Sequence, residues 1–254
     1  MPVSAKSAAE QLSIKKSSGN ESQRYRLYRE HKFLRAILSD LENRIARADF
    51  TDLSQLLEIK NKMEYIFGII EGHAKHENEI IHALLRAKGT SIVDSIEADH
   101  KSYKAMFEIL RGMLTEILNI LETGNEVELI AKGYEFYIAY RKFIAFDLQH
   151  INAEETLIMP ELQKYYSDKE LKEKIDFPVY EQMSSDDMIG MMMVLFPHMN
   201  INDKEHFLSD LQESQPKKFL EAWKGIAPRI NAIERSVLAE KLQLEAIFVS
   251  KTID

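Results

Sequence analysis

Two segments of the chain repeat one chemical arrangement, a histidine followed four residues later by a glutamate: His73-Ala-Lys-His-Glu77 and His150-Ile-Asn-Ala-Glu154. On an α-helix, residues i and i+4 lie one above the other on the same face, about 6 Å apart. An imidazole and a carboxylate so placed can reach one metal ion together. His31 lies ahead of the first pair and His100 lies between the two, each on its own stretch of helical pattern. These four imidazoles and two carboxylates would serve two metal ions that share both carboxylates and take two imidazoles each. The chain has no Cys, which excludes disulfides, thiolate zinc sites, Cys-ligated iron–sulfur clusters and Cys nucleophiles. Any metal must then be held by His and carboxylate. That donor set suits Fe, Mn or Zn, and with open positions it suits redox iron. Six-coordinate ions would each keep a vacancy for a small ligand such as O2, NO or peroxide. Ligation requires unprotonated rings, so metal binding is expected to weaken as pH falls through the imidazole range.

Several neighbours compete for these roles. His76 stands beside His73, but Ile80 rather than a carboxylate follows it by four, so His76 is read as an accessory or surface residue. Glu155 is an alternative to Glu154, with the four-residue step favouring Glu154. Asp99 and Asp147 adjoin the candidate ligands and are the residues able to accept an imidazole N–H; the alternative for both is a plain solvated charge. His82 is read as a surface residue beyond the site, and His198 and His206 as structural residues. A rival pattern, Glu79-x2-His82 with Glu97-x2-His100, matches the Glu-x-x-His step of ferritin-like di-iron bundles, but the first helix lacks an apolar-face Glu to complete it. Tyr134, Tyr137, Tyr140 and the run Met188, Met191, Met192 and Met193 are read as packing.

Four long amphipathic segments must position the six candidates. Apolar residues recur at three- and four-residue steps over 21–48 (Leu27, Leu34, Leu38, Leu41, Ile45) and 52–86 (Leu53, Leu56, Met63, Phe67, Ile70), and the pattern continues over 90–122 and 126–166. Thr51-Asp52, Thr90 or Ser91, and Thr123-Gly124-Asn125 supply caps and breaks, and Lys88-Gly89 ends the second segment. Long helices joined by short loops imply an all-α, up-down-up-down four-helix bundle over 21–167. Counted along the antiparallel helices, the four histidines fall within a few turns of one end. Residues 1–20 read as a flexible leader. After Ser167, frequent Pro and Asn-Asp breaks mark a C-terminal helical unit, 168–254, with helices expected near 185–196, 203–213, 216–224 and 229–247.

Composition agrees with helices. The chain has 254 residues, 45% hydrophobic, with only 9 Gly and 6 Pro, too little turn chemistry for an all-β fold. A formal net charge of -8 repels a phosphate backbone, so nucleic acid is not an expected partner. The longest apolar run, Met188 to Phe196, is too short to span a bilayer, and the N-terminus lacks the apolar stretch of a secretory signal. No membrane association is expected, and the expected location is the cytoplasm.

His31, His73-x3-Glu77, His100 and His150-x3-Glu154, in that order, resemble the hemerythrin-like (HHE cation-binding) pattern, as do Asp99-His100, Glu154-Glu155 and Leu157-Ile158-Met159-Pro160. The resemblance covers about residues 25–165. It implies a non-haem di-iron centre inside the bundle, with oxygen binding or a stress response as the setting. In the oxygen carriers of that family the third helix carries a second His four residues after the first; here that position is Lys104. The centre is therefore expected to be the more symmetric one, two His per metal, as in the family's iron-centre repair proteins, whose frequent Cys-containing leader is absent here. The expected function is binding or sensing of O2, NO, peroxide or iron itself, with the C-terminal unit relaying the metal state to a protein partner. The alternatives are a di-iron oxidoreductase (peroxidase, oxidase, NO reductase or an iron-centre repair protein) and a metal-free helical scaffold.

Overall fold

The structure, a computed structural model, describes residues 28–244, and every regular element among them is helical. The expected leader, 1–20, and the start of the first expected helix lie outside the described residues. Helix α1 spans Tyr28–Arg47, and Leu34, Leu38, Leu41 and Ile45 form its buried stripe. Helix α2 begins at Leu53, where the Asp52 carboxylate accepts from the Ser54 and Gln55 N–H groups, and runs without a break through Leu53–His76, Glu77–Ile81 and His82–Arg86. Helix α3 spans Val93–Thr123. Gly124, at φ 71°, ends it in the left-handed conformation that glycine adopts without strain. Helix α4 starts from the Asn125 cap and runs through Glu126–Ala153, Glu154–Ile158 and Met159–Tyr165.

Short connections make consecutive helices antiparallel, and α1 packs on α4 to close a four-helix bundle. Its core is continuous. Phe67 stacks on Phe107 with centroids 3.9 Å apart, and Phe143 meets both rings edge-on. Gly133, two turns into α4, has a packing reason: a Cβ there would lie 2.5 Å from the ring of Phe50, in the α1–α2 turn.

The remaining chain forms α5 (Asp168–Leu171, Lys172–Asp176 and Phe177–Gln182), α6 (Ser185–Leu195), α7 (Ile201–Ser214), α8 (Pro216–Ile226) and α9 (Ala232–Lys241). The last four correspond to the expected C-terminal helices, with α9 shorter than expected within the described residues. Helix α5 was not expected: Pro178 reads as a breaker, yet the helix continues through it two residues after the wider turn Lys172–Asp176. The start of α3 also differs, because Ile92 occupies the cap position without a side-chain bond and Thr90 Oγ1 only accepts from its N–H. Met188, Met192, Phe207, Leu211, Phe219 and Trp223 build a second core that takes in Phe33 of α1. A third cluster joins Leu171 and Ile175 of α5 to Ile81, Ile96, Ile158 and Leu162 at one end of the bundle. The C-terminal helices thus rest on α1 and on that end. Among the described residues, no helix is long and apolar enough to cross a membrane.

Candidate metal centre

All six sequence candidates converge between the four bundle helices. His31 comes from α1, His73 and Glu77 from α2, His100 from α3, and His150 and Glu154 from α4. His31, His73, Glu77 and Glu154 each offer one ligand atom within 4.8 Å of the others, and so do Glu77, His100, His150 and Glu154. The two glutamates belong to both groups. Both are buried, at 2% and 1% exposure, and His31 is fully enclosed.

The orientation of the carboxylates is specific. Glu77 turns Oε1 toward His73 Nε2 (3.2 Å) and His31 Nε2 (3.7 Å), and Oε2 toward His100 Nε2 (3.4 Å). Glu154 turns Oε1 toward His150 Nε2 (3.1 Å) and His100 Nε2 (3.7 Å), and Oε2 toward His31 Nε2 (3.4 Å). Each carboxylate therefore presents one oxygen to each pair of imidazoles. His100 Nε2 and His150 Nε2 face one another at 3.0 Å. The Nε2 atoms of His31 and His73, Oε2 of Glu77 and both oxygens of Glu154 are buried without a hydrogen bond. Buried polar atoms left in this state cost free energy unless something else satisfies them. Oxygen and nitrogen lone pairs converging from four helices fit divalent or trivalent metal ions of the first transition row.

The far side of each ring is held as well. His31 Nδ1 lies 2.9 Å from Glu155 Oε1, which also accepts from Arg35 Nη2 at 2.6 Å. His100 Nδ1 lies 3.0 Å from Asn78 Oδ1, and His150 Nδ1 lies 3.4 Å from Asp99 Oδ2. These oxygens can only accept, so each Nδ1 carries a proton and the Nε2 edge faces inward, able to ligate once its own proton has left. Beneath His100 and His150, Tyr103 donates to buried Asp147 at 2.8 Å and stacks on His100.

Charge follows from this enclosure. Burial works against a charged His31, yet Glu155, Glu77 and Glu154 outweigh it and push the imidazole up to about 10. Burial likewise opposes His100, and Glu154 and Glu77 push it up to about 9. His73 and His150 are raised against the same opposition, His73 chiefly by Glu77 and His150 chiefly by Glu154. Burial would lift the Glu77 carboxyl, but His73, His100 and His31 hold it well below the usual carboxylate range. Asp147 is raised, principally by burial.

Both His–Glu pairs sit at a local widening of the helix. The backbone N–H of His82 bonds to the Glu77 carbonyl and that of Met159 to the Glu154 carbonyl, five residues apart in each case, so one π-helical turn begins at each shared glutamate. A third such turn, Lys172–Asp176, occurs in α5. Turns of this kind are often found at functional sites.

The structure also corrects the reading of several neighbours. His82 is not a surface residue: it is 1% exposed, its Nδ1 meets Asn78 and Glu97, and its ring stacks on His100. Asp147 is buried rather than solvated. Glu155 faces the outer nitrogen of His31 instead of replacing Glu154. His76 lines a cavity beside His31 and His73. The rival Glu-x-x-His arrangement does not assemble, because Glu79 points outward and Glu97 pairs with Arg86 and His82. Asn78, unremarked in the sequence, holds both His82 and His100; a polar residue directly after Glu77 was the only available sign. A family model, the hemerythrin HHE cation binding domain, matches residues 22–162, more than half of the chain. Comparison with curated proteins and with solved structures gave no match.

Proposed function

Because this chain belongs to the hemerythrin HHE cation-binding domain family, we propose that it holds two metal ions at His31, His73, Glu77, His100, His150 and Glu154, with both glutamates shared. Iron is the metal proposed ahead of Mn or Zn, and the loaded centre binds or senses O2, NO, peroxide or iron itself. The observation that carries this reading is the orientation of Glu77 and Glu154, each with one oxygen toward each imidazole pair. Iron held there supplies one-electron redox chemistry and open positions for a small ligand. The chain's own residues do the rest. Glu155, Asn78 and Asp99 fix three rings with their Nε2 edges inward, and the four helices exclude bulk water. The imidazoles carry the positive charge that the buried carboxylates require until metal replaces it.

In this proposal residues 21–167 are the metal-binding unit of a cytoplasmic protein, and 168–254 relay its state to a protein partner. A buried charge network supports such coupling. Arg29 of α1 pairs with Asp176 of α5 (3.2 Å) and Asp210 of α7 (3.6 Å), and Lys172 of α5 also pairs with Asp210 (3.2 Å). The test is titration of the iron-loaded protein with NO or hydrogen peroxide under an optical spectrum. Stoichiometric, reversible spectral change supports binding or sensing. Sustained consumption of either reagent shifts the assignment to a di-iron oxidoreductase, and no spectral response refutes both.

A further inference from the structure

A cavity of about 210 Å³ lies between the metal-binding bundle and the C-terminal helices. Its floor is His31, His73 and Glu77. Its opposite wall is Ile175 and Val179 of α5, Met191 of α6 and Phe207 of α7. Glu30, His76 and Asp176 also line it. The wall residues lie outside the 22–162 span of the family match, so the enclosure is made by this chain's own C-terminal addition.

Size and chemistry narrow the occupant. An apolar cavity of about 150 Å³ accommodates a benzene-sized molecule, so this space is several times larger than a diatomic ligand needs. The wall is mainly apolar and offers a thioether and an aromatic ring, whereas the bundle side offers the imidazole rings of His73 and His76. Sites of this kind, apolar with a few convergent polar groups, suit a compact organic molecule with one polar end.

We propose that the C-terminal helices complete a binding chamber for a small, uncharged, mainly apolar organic molecule whose single hydroxyl-type oxygen lies on the chamber's polar side, beside His73 and His76. The proposal deepens the metal-centre reading by naming the class of molecule that sits beside it, but the chamber itself is formed by side chains alone. Its test therefore uses the metal-free full-length protein.

The probe is phenol, with glycerol as a polar molecule of similar size, followed by ligand-observed NMR and calorimetry. Wild type should bind phenol saturably at one site and ignore glycerol. Met191→Trp and Val179→Phe, both at half-buried positions, fill the chamber and should each weaken phenol binding by about tenfold or more, with the thermal midpoint showing which variant remains folded. Ile109→Trp is the control, since it alters the separate apolar groove between α3 and α4 and should leave phenol binding unchanged. Loss of binding in Ile109→Trp alone, unchanged binding in both chamber variants, or no saturable binding by wild type overturns the proposal. Intact phenol binding by a protein that takes up no iron would uphold the chamber and defeat the metal reading.

Discussion

Loading the centre should expel protons, and the number is set by the enclosure of the imidazoles. In the metal-free protein His31 is raised to about 10 and His100 to about 9. At pH 7.5 both rings are then protonated, so about two protons must leave them before both Nε2 atoms can ligate. At pH 9.5, between the two values, the release from these two rings should fall to about one. His73 and His150 are also raised, so each adds to the release wherever it is protonated, and the total should rise as pH is lowered. The sign for stability follows the same linkage. A raised imidazole stabilises the metal-free fold below its unfolded value, and that contribution is lost as pH rises through 9 to 10. The thermal midpoint of metal-free protein should therefore drop in that window, while metal-loaded protein should not show the drop. The assay is anaerobic Fe(II) titration by calorimetry in buffers of different ionisation enthalpy, at pH 7.5 and 9.5. Release near zero at pH 7.5, or release that grows toward pH 9.5, would refute the reasoning.

Other residues give independent expectations. Asn78→Leu removes the oxygen that holds His100 and His82, and metal affinity should fall by about 10- to 100-fold with the helical circular dichroism retained, as competition with a chelator would show. Gly133→Ala drives a Cβ into the Phe50 ring; the packing penalty exceeds the helix-propensity gain, for a net loss of about 1 to 2 kcal/mol in urea unfolding, and Phe50→Leu should restore most of it. Arg29→Ala leaves Asp210, whose side chain is 5% exposed, without this guanidinium, and should cost about 3 kcal/mol. Faster hydrogen exchange concentrated in α5 and α7 is expected, whereas a uniform change along the chain would count against a network joining those helices to α1.

The bundle and the convergence of its six candidate ligands were legible because both rest on helical periodicity. His73 and Glu77, or His150 and Glu154, share a face for the same reason that Leu34, Leu38, Leu41 and Ile45 do. What escaped sequence reasoning depends on contacts between helices. His82 looks like any polar residue on a charged helix until α3 brings His100 and Glu97 against it. Asp147 becomes a buried acceptor only when Tyr103 of α3 reaches it. The π turns left a partial trace: Pro160 and Pro178 each follow one closely, where a wider turn relieves the clash of the proline ring with the carbonyl four residues back. The turn at Glu77 has no such proline. Helix α5 was missed because Pro178 reads as a breaker, and the wider turn ahead of it that admits the ring depends on the folded helix.

The central claim is that these six side chains hold a pair of metal ions, and iron stoichiometry tests it most directly. After anaerobic Fe(II) loading and desalting, elemental analysis should find about two iron ions per chain, and His73→Ala and His150→Ala should each lose at least one while staying helical. A wild-type protein that retains no iron, or variants that retain as much as wild type, would contradict the account.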